Sequence, residues 1–221
     1  MTVHWLLLRA SSLPEGEEWL GPTEKQTLGR LKLAKRRADW MLGRFTAKRA
    51  LSASLGIDRL DRIEVIAASD GAPEAFVDGK AIEASVSISH RGGAAACAWS
   101  RCLIVGCDLE VVEPRTERFV EDFFTVQERA WVFGETGRAR HRRVALVWSA
   151  KESALKAVRA GLRRDTRLVE VQIDDAQAER GGWHRLQANL RPEVRPLSGW
   201  WYQDQDMVLT VVHAGAWSKP Q

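Results

Sequence analysis

The sequence predicts an α+β protein built from two similar subdomains. Three observations predict it. The order strand, helix, several short strands occurs twice along the chain. Each long helical pattern runs up to a glycine, Gly56 in the first half and Gly161 in the second. The chain has 221 residues, 45% hydrophobic and 28% charged, enough for one large domain or two small ones with a shared core.

In the first half, Val3 to Leu8 reads as a short apolar strand, followed by the turn-rich "ASSLPEGEEWLGPTEKQ". A long helical pattern then runs from about Thr23 to Leu55. Leu28, Leu31, Trp40, Leu42, Phe45, Ala47 and Leu51 are its inward positions. "IEVIAA", the turn "SDGAPE", the alternating "SVSIS" and "AAACAW" complete this half as strands and a turn. In the second half "CLIVGCDLEVV" is a strand and "EPRTERFVEDFF" a connector. Helical segments follow at about 126–134 and 143–160, then strands in "RLVEVQID", "WHRLQANL", "GWWYQ" and "MVLTVV". The join near Arg101 passes from strand to strand with no linker, so the expected subdomains, 1–102 and 103–221, form one compact unit.

No apolar run reaches the roughly 18–20 residues that span a bilayer, and the N-terminus has no basic leader, so a cytoplasmic protein is expected. Cys97, Cys102 and Cys107 lie five apart, a spacing of no zinc or redox pair, and read as reduced thiols. The formal charge of +4 and pI near 9.2 come largely from "GRLKLAKRRADWMLGRFTAKR" and "RAGLRRDTR". That balance suits an acidic or phosphate-rich partner, and no nucleic-acid motif accompanies it.

Four stretches carry chemistry. In "VGCDLEVVEP", Asp108 and Glu110 share one face of an otherwise apolar strand. A frayed strand end in solvent would tolerate two acids, but the flanking Leu103–Val105 and Val111–Val112 argue for burial. Two neighbouring buried carboxylates raise each other's pKa unless a cation intervenes, and hard oxygen donors are what magnesium selects. In "VWSAKESALKA", Trp148, Glu152 and Lys156 follow one another at helical i, i+4 spacing. An exposed Glu–Lys pair would do the same; the bulky Trp148 argues that this face is covered. In "SVSISHRGG", a strand ends at Ser89 and His90 beside Arg91, Gly92 and Gly93, a hairpin that can also hold a phosphate. Adjacent strand residues face opposite ways, which makes Ser89–His90 a poor hydrolase dyad. In "GRFTAKRAL", Arg44 and Lys48 are four apart, either a solvated basic face or an anion-binding edge.

Taken in order, "GRFTAK", "SISH", "GCDLE", "FFTVQE" and "WSAKESALK" resemble the 4′-phosphopantetheinyl transferases of the pseudo-dimeric, surfactin-synthetase-activating class. The family pattern pairs a Ser-His strand end with Gly-Ile/Val-Asp-x-Glu and then Trp-x-x-Lys-Glu-x-x-x-Lys. Here these are Ser89–His90, Gly106–Asp108–Glu110 and Trp148–Lys151–Glu152–Lys156. The resemblance implies two subdomains related by a pseudo-two-fold, an active site at their interface, and a monomer with no nucleic-acid or membrane partner. It implies transfer of the phosphopantetheine arm of coenzyme A to a serine of an apo acyl, peptidyl or aryl carrier protein, with release of adenosine 3′,5′-bisphosphate. Asp108, Glu110 and Glu152 would hold Mg²⁺, and Lys156 would steady the pyrophosphate. His90 would meet the 3′-phosphate, with Ser89, Arg44 and Lys48 as further coenzyme contacts. Glu152, or a water on the metal, is the candidate proton acceptor. The family often has Gly-Lys-Pro before the Ser-His strand; this chain has Gly71–Ala72–Pro73. The connector "RFVEDFFTVQE" would face the carrier, although Phe119, Phe123 and Phe124 equally suit a core. A metal-dependent phosphoesterase, or a non-enzymatic module that binds an acidic protein or RNA, are the competing readings.

Overall fold

The computed structural model describes residues 2–175, 178, 181–191 and 196–216. The chain divides into two compact units. The first runs to Val105 and takes in the chain from Gly215; the second is Gly106–Ala214. The division falls three residues beyond the expected one, inside strand β7 (Leu103–Val111), because that strand carries the chain from one unit to the other. Both units mix helices with sheets, as the α+β class requires.

The first unit comprises β1 (His4–Arg9), α1 (Pro22–Arg30), α2 (Ala34–Leu55), β2 (Ile63–Ala67), β3 (Pro73–Val77), β4 (Lys80–Ala81), β5 (Ser85–Arg91) and β6 (Ala94–Ser100). Its strands make two three-stranded sheets, β1-β6-β5 and β2-β3-β4. Leu6 lies opposite Cys97, which lies opposite Ile88. The expected single helix from Thr23 to Leu55 is broken at residues 31–33. The Leu28 carbonyl accepts from Leu31 N at 3.1 Å and from the Arg37 guanidinium at 2.6 Å, so a tight backbone turn and a side chain together close the end of α1. Leu31 turns instead into a cluster with Trp19, Leu28 and Phe45. α2 stops at Gly56, whose φ of +67° is the left-handed cap that glycine adopts without strain. Leu28, Leu42, Phe45, Ala47 and Leu51 are buried as their spacing predicts. The hairpin arms β3 and β4 carry too little apolar alternation to be read beforehand. The turn at Gly71–Ala72–Pro73 is closed by the Ala68 N–H donating to the Ala72 carbonyl at 2.8 Å.

The second unit comprises β7 from Gly106, α3 (Glu117–Phe123), α4 (Val126–Phe133), α5 (Gly137–Ala157), β8 (Val169–Ile173), β9 (His184–Leu190), β10 (Leu197–Asp204) and β11 (Met207–Ala216). The strands form one sheet in the order β7-β11-β10-β9-β8. The stretch expected to be a connector contains α3, started by the Thr116 hydroxyl accepting from Phe119 N. α5 begins six residues before the expected position. It ends at Ala157, before Gly161, because Arg159 already takes a positive φ. In both units the first strand pairs with the last, but the first unit divides its strands between two sheets where the second keeps one. Among the described residues no helix is long and apolar enough to cross a membrane. All three cysteines are free thiols, Cys97 and Cys107 buried and Cys102 exposed.

α5 lies against β7 at Gly106. A Cβ added there would stand 2.7 Å from Ala157 N and closer still to the Ser153 carbonyl oxygen, both backbone atoms that cannot turn aside. Beside this contact, the Ser153 hydroxyl donates to the Thr210 carbonyl at 3.1 Å, and Ser149 shares a hydrogen bond with the Thr210 hydroxyl at 2.8 Å. Gly106→Ala must push α5 off β7. We expect a loss of about 3 kcal/mol or more in urea unfolding, whereas Gly29→Ala, with nothing within 4 Å, should be neutral or stabilising.

Candidate active site

The predicted site residues divide between the two units. In the second, Asp108 is fixed on β7 with 4% of its surface exposed, between the buried Cys107 and Leu109. From α5, the Lys156 ammonium donates to Asp108 Oδ1 at 2.6 Å. Glu110, two residues along the same strand, receives Arg115 Nη2 at 3.4 Å, and Arg115 also reaches Glu113 at 3.1 Å. Arg115 escaped the sequence reading because its role depends on the chain turning back after Pro114.

Glu152 sits half-buried one helical turn before Lys156. Its pKa is pushed up to about 7, first by burial and then by the charge of Asp108, with Glu110 adding to it and Lys156 opposing. Lys156 experiences the converse balance. Burial lowers its pKa, but Asp108, Cys107 and Glu152 outweigh that, and the ammonium lies above the ordinary lysine value. Three carboxylates and one ammonium thus share a small volume at a strand–helix contact. Among the described residues no three His, Cys, Asp or Glu side chains are arranged to hold an ion in this conformation. By chemistry the donor set fits a hard divalent cation: all oxygen, in mutual repulsion, and partly desolvated.

Trp148, one turn further back on α5, packs edge-on against Phe119 at 5.0 Å and Phe123 at 5.3 Å. Of the three connector phenylalanines, Phe124 is fully buried and Phe123 is 36% exposed. Core and surface are therefore both represented.

In the first unit, Arg44 and His90 meet at a recess of about 380 Å³, lined also by Lys35, Arg36, Asp39 and Trp40. The Arg44 guanidinium lies 5.1 Å from the Trp40 ring centre. Its Nε is buried and has no hydrogen-bond partner among the described residues. Burial lowers the Arg44 pKa, with Glu24 and Cys97 acting the other way. Ser89 is buried, on the opposite face of β5 from His90.

Lys48 requires a correction. It is fully buried, donates to the Trp19 carbonyl at 2.7 Å and is ion-paired with Glu24, so it is a core residue and not a coenzyme contact. The i, i+4 spacing with Arg44 is real, but α1 and the segment before it cover that side of α2.

Residues 104–212 match the family model of the 4′-phosphopantetheinyl transferase superfamily. That span holds Asp108, Glu110, Glu152 and Lys156. Over that span the chain is similar to the 4′-phosphopantetheinyl transferase superfamily. A similar relative is the L-aminoadipate-semialdehyde dehydrogenase-phosphopantetheinyl transferase of Xenopus laevis, 25% identical over 198 residues, covering 81% of this chain. The chain spans 65% of the length of that relative. Among solved structures, the holo-[acyl-carrier-protein] synthase of Thermotoga maritima shares 25% identity over 56% of this chain and 74% of its own. Its TM-score is 0.36, a superposition that bears no weight here.

The raised Glu152 pKa makes the fold of this chain sensitive to pH. Between the ordinary glutamate value of 4.5 and about 7, the folded state keeps a proton that the unfolded chain has released. Stability therefore falls as pH rises through that window. Glu152→Gln removes the ionisation. With a chelator present, urea unfolding should show the variant more stable than the native chain at pH 8 by on the order of 2–3 kcal/mol, with the difference vanishing near pH 4.5.

Proposed function

We propose that this protein transfers the 4′-phosphopantetheine arm of coenzyme A to a serine hydroxyl of an apo acyl, peptidyl or aryl carrier protein, in a Mg²⁺-dependent reaction that releases adenosine 3′,5′-bisphosphate. The observation that carries the reading is the Lys156–Asp108 ion pair beside a Glu152 held near neutrality, within the span that matches the family.

Transfer forms a bond between the serine oxygen and the phosphorus bearing the pantetheine arm, and breaks that phosphorus's bond to the bridging oxygen of the pyrophosphate. The serine must lose a proton. We assign Glu152, or a water on the metal, as the group that accepts it. Negative charge grows on the leaving phosphate, and the Lys156 ammonium is the group in the second unit placed to offset it. Asp108 keeps that ammonium charged and aimed. A magnesium ion held by Asp108, Glu110 and Glu152 would add Lewis-acid charge at the pyrophosphate. In the first unit, Arg44 and His90 supply donors suited to the coenzyme's 3′-phosphate. The Nε of Arg44, buried with no hydrogen-bond partner among the described residues, supports that role. Ala72 removes the lysine that the family often carries, and the cationic recess with Lys35, Arg36 and Arg44 is the compensation we assign.

The test is incubation with coenzyme A, Mg²⁺ and a panel of apo carriers, followed by intact-mass measurement. A gain of one phosphopantetheinyl group on a carrier serine is expected. Consumption of coenzyme A with no carrier gain would point to a phosphoesterase instead. Asp108→Ala, Lys156→Ala and Glu152→Gln should each lower kcat by roughly a hundredfold or more while the proteins remain folded. A Glu152→Gln protein that keeps the native rate would remove that residue as the proton acceptor.

A further inference from the structure

The two units share a second buried arrangement that the proposed chemistry does not use. In the first, Lys48 on α2 is ion-paired with Glu24, the third residue of α1. The other Glu24 oxygen accepts from Val65 N at 2.9 Å, and Gly21 N donates to the same carboxylate at 3.1 Å. In the second, Lys151 on α5 is ion-paired at 2.8 Å with Glu128, the third residue of α4. Glu128 accepts from Val171 N at 2.8 Å and Thr125 N at 2.7 Å. Both lysines are 0% exposed. Aligned on these lysines, Arg49 stands where Glu152 does and Ala53 where Lys156 does. The anchor is present in both units, the acid and ammonium of the site in one.

The anchors differ in what else the lysine holds. Lys48 donates to the Trp19 carbonyl, ahead of its own pair of helices. Lys151 donates to the carbonyls of Thr166, at 2.9 Å, and Val169. These lie at the far end of the segment that leaves α5 after Lys156. The Thr166 hydroxyl in turn donates to the Phe123 carbonyl at 3.0 Å. The second-unit anchor thus joins α4, α5, β8 and the segment between α5 and β8, and it does so from the residue next to Glu152. An ammonium with three oxygen partners around it fixes both the rotation and the axial position of its helix.

We infer that Glu128 and Lys151 are positioning residues for the transfer site: their buried ion pair sets the register of α5, and so the placement of Glu152 and Lys156 against Asp108. This rests on the transfer reading above. A displacement of about 1 Å in such a group can cost up to a hundredfold in rate. A buried pair replaced by neutral groups of similar size need not lose stability, so position and stability can be separated.

The experiment compares full-length Glu128→Gln with Glu24→Gln, which breaks the equivalent anchor in the other unit. The double variant Glu128→Gln/Lys151→Met removes the buried charge altogether and serves if the single variant does not fold. Steady-state transfer to a carrier identified as above is one readout. The other is the rate at which an amine-acylating reagent labels Lys156, followed by peptide mass spectrometry, which needs no coenzyme or carrier. For the folded Glu128 variants we expect kcat to fall about tenfold or more, the KM for coenzyme A to stay within about twofold, and Lys156 to be labelled about threefold faster. Glu24→Gln should leave kcat and the labelling rate at their native values. Native kcat and labelling in the folded double variant, or equal changes in Glu24→Gln, would overturn the inference. Because labelling is independent of turnover, failure of the transfer reading is told apart from failure of the positioning role.

Discussion

A lysine ammonium taken out of water must find a carboxylate and further oxygen acceptors, and both units are organised around that requirement. Lys48 with Glu24 and Lys151 with Glu128 each tie a long helix to the start of the helix before it and to a strand backbone. Each glutamate serves its own helix N-terminus and the buried cation at once. Neither function could be lost without leaving a charge stranded in the core. The repeat of this arrangement is the strongest sign that the two units are versions of one design, stronger than any similarity in their apolar residues.

On this frame the second unit concentrates charge. Lys156 and Asp108 satisfy each other, while Glu152 is left with more negative than positive company and holds its proton to about neutral pH. A fold optimised for stability alone would not keep an acid there. The same crowding that weakens the fold above neutral pH makes the group fit to exchange a proton and to receive a cation. In the first unit the corresponding investment is a cationic recess with a buried guanidinium nitrogen that has no hydrogen-bond partner among the described residues.

Much of this was legible in the sequence. The alternation along β5, the apolar runs of β6 and β7, the helical spacing around Trp148, and Gly56 as a stop were readable because local pattern and backbone geometry determine them. The family pattern singled out Asp108, Glu152 and Lys156, but not the direct ion pair between Asp108 and Lys156. What escaped depends on contacts between distant segments. Nothing local marks Arg37 as a group that helps to close the end of α1, and nothing local separates Arg44 at a recess edge from Lys48 in the core. The twin anchors escaped for the same reason: Glu24 and Lys48 look like ordinary surface charges until α1 and α2 are laid together. Arg115 approaches Glu110 only through the turn after β7.

The contact at Gly106 has a bearing on how such a protein can change. There the helix backbone rests on the strand backbone, so the span between Asp108 and Lys156 is set by main-chain atoms and not by the volume of intervening side chains. Apolar residues elsewhere in the second unit can therefore be exchanged over generations without altering the distance across the site. The sequence is free to drift widely around a few fixed points, and a weak overall identity is compatible with an undisturbed centre.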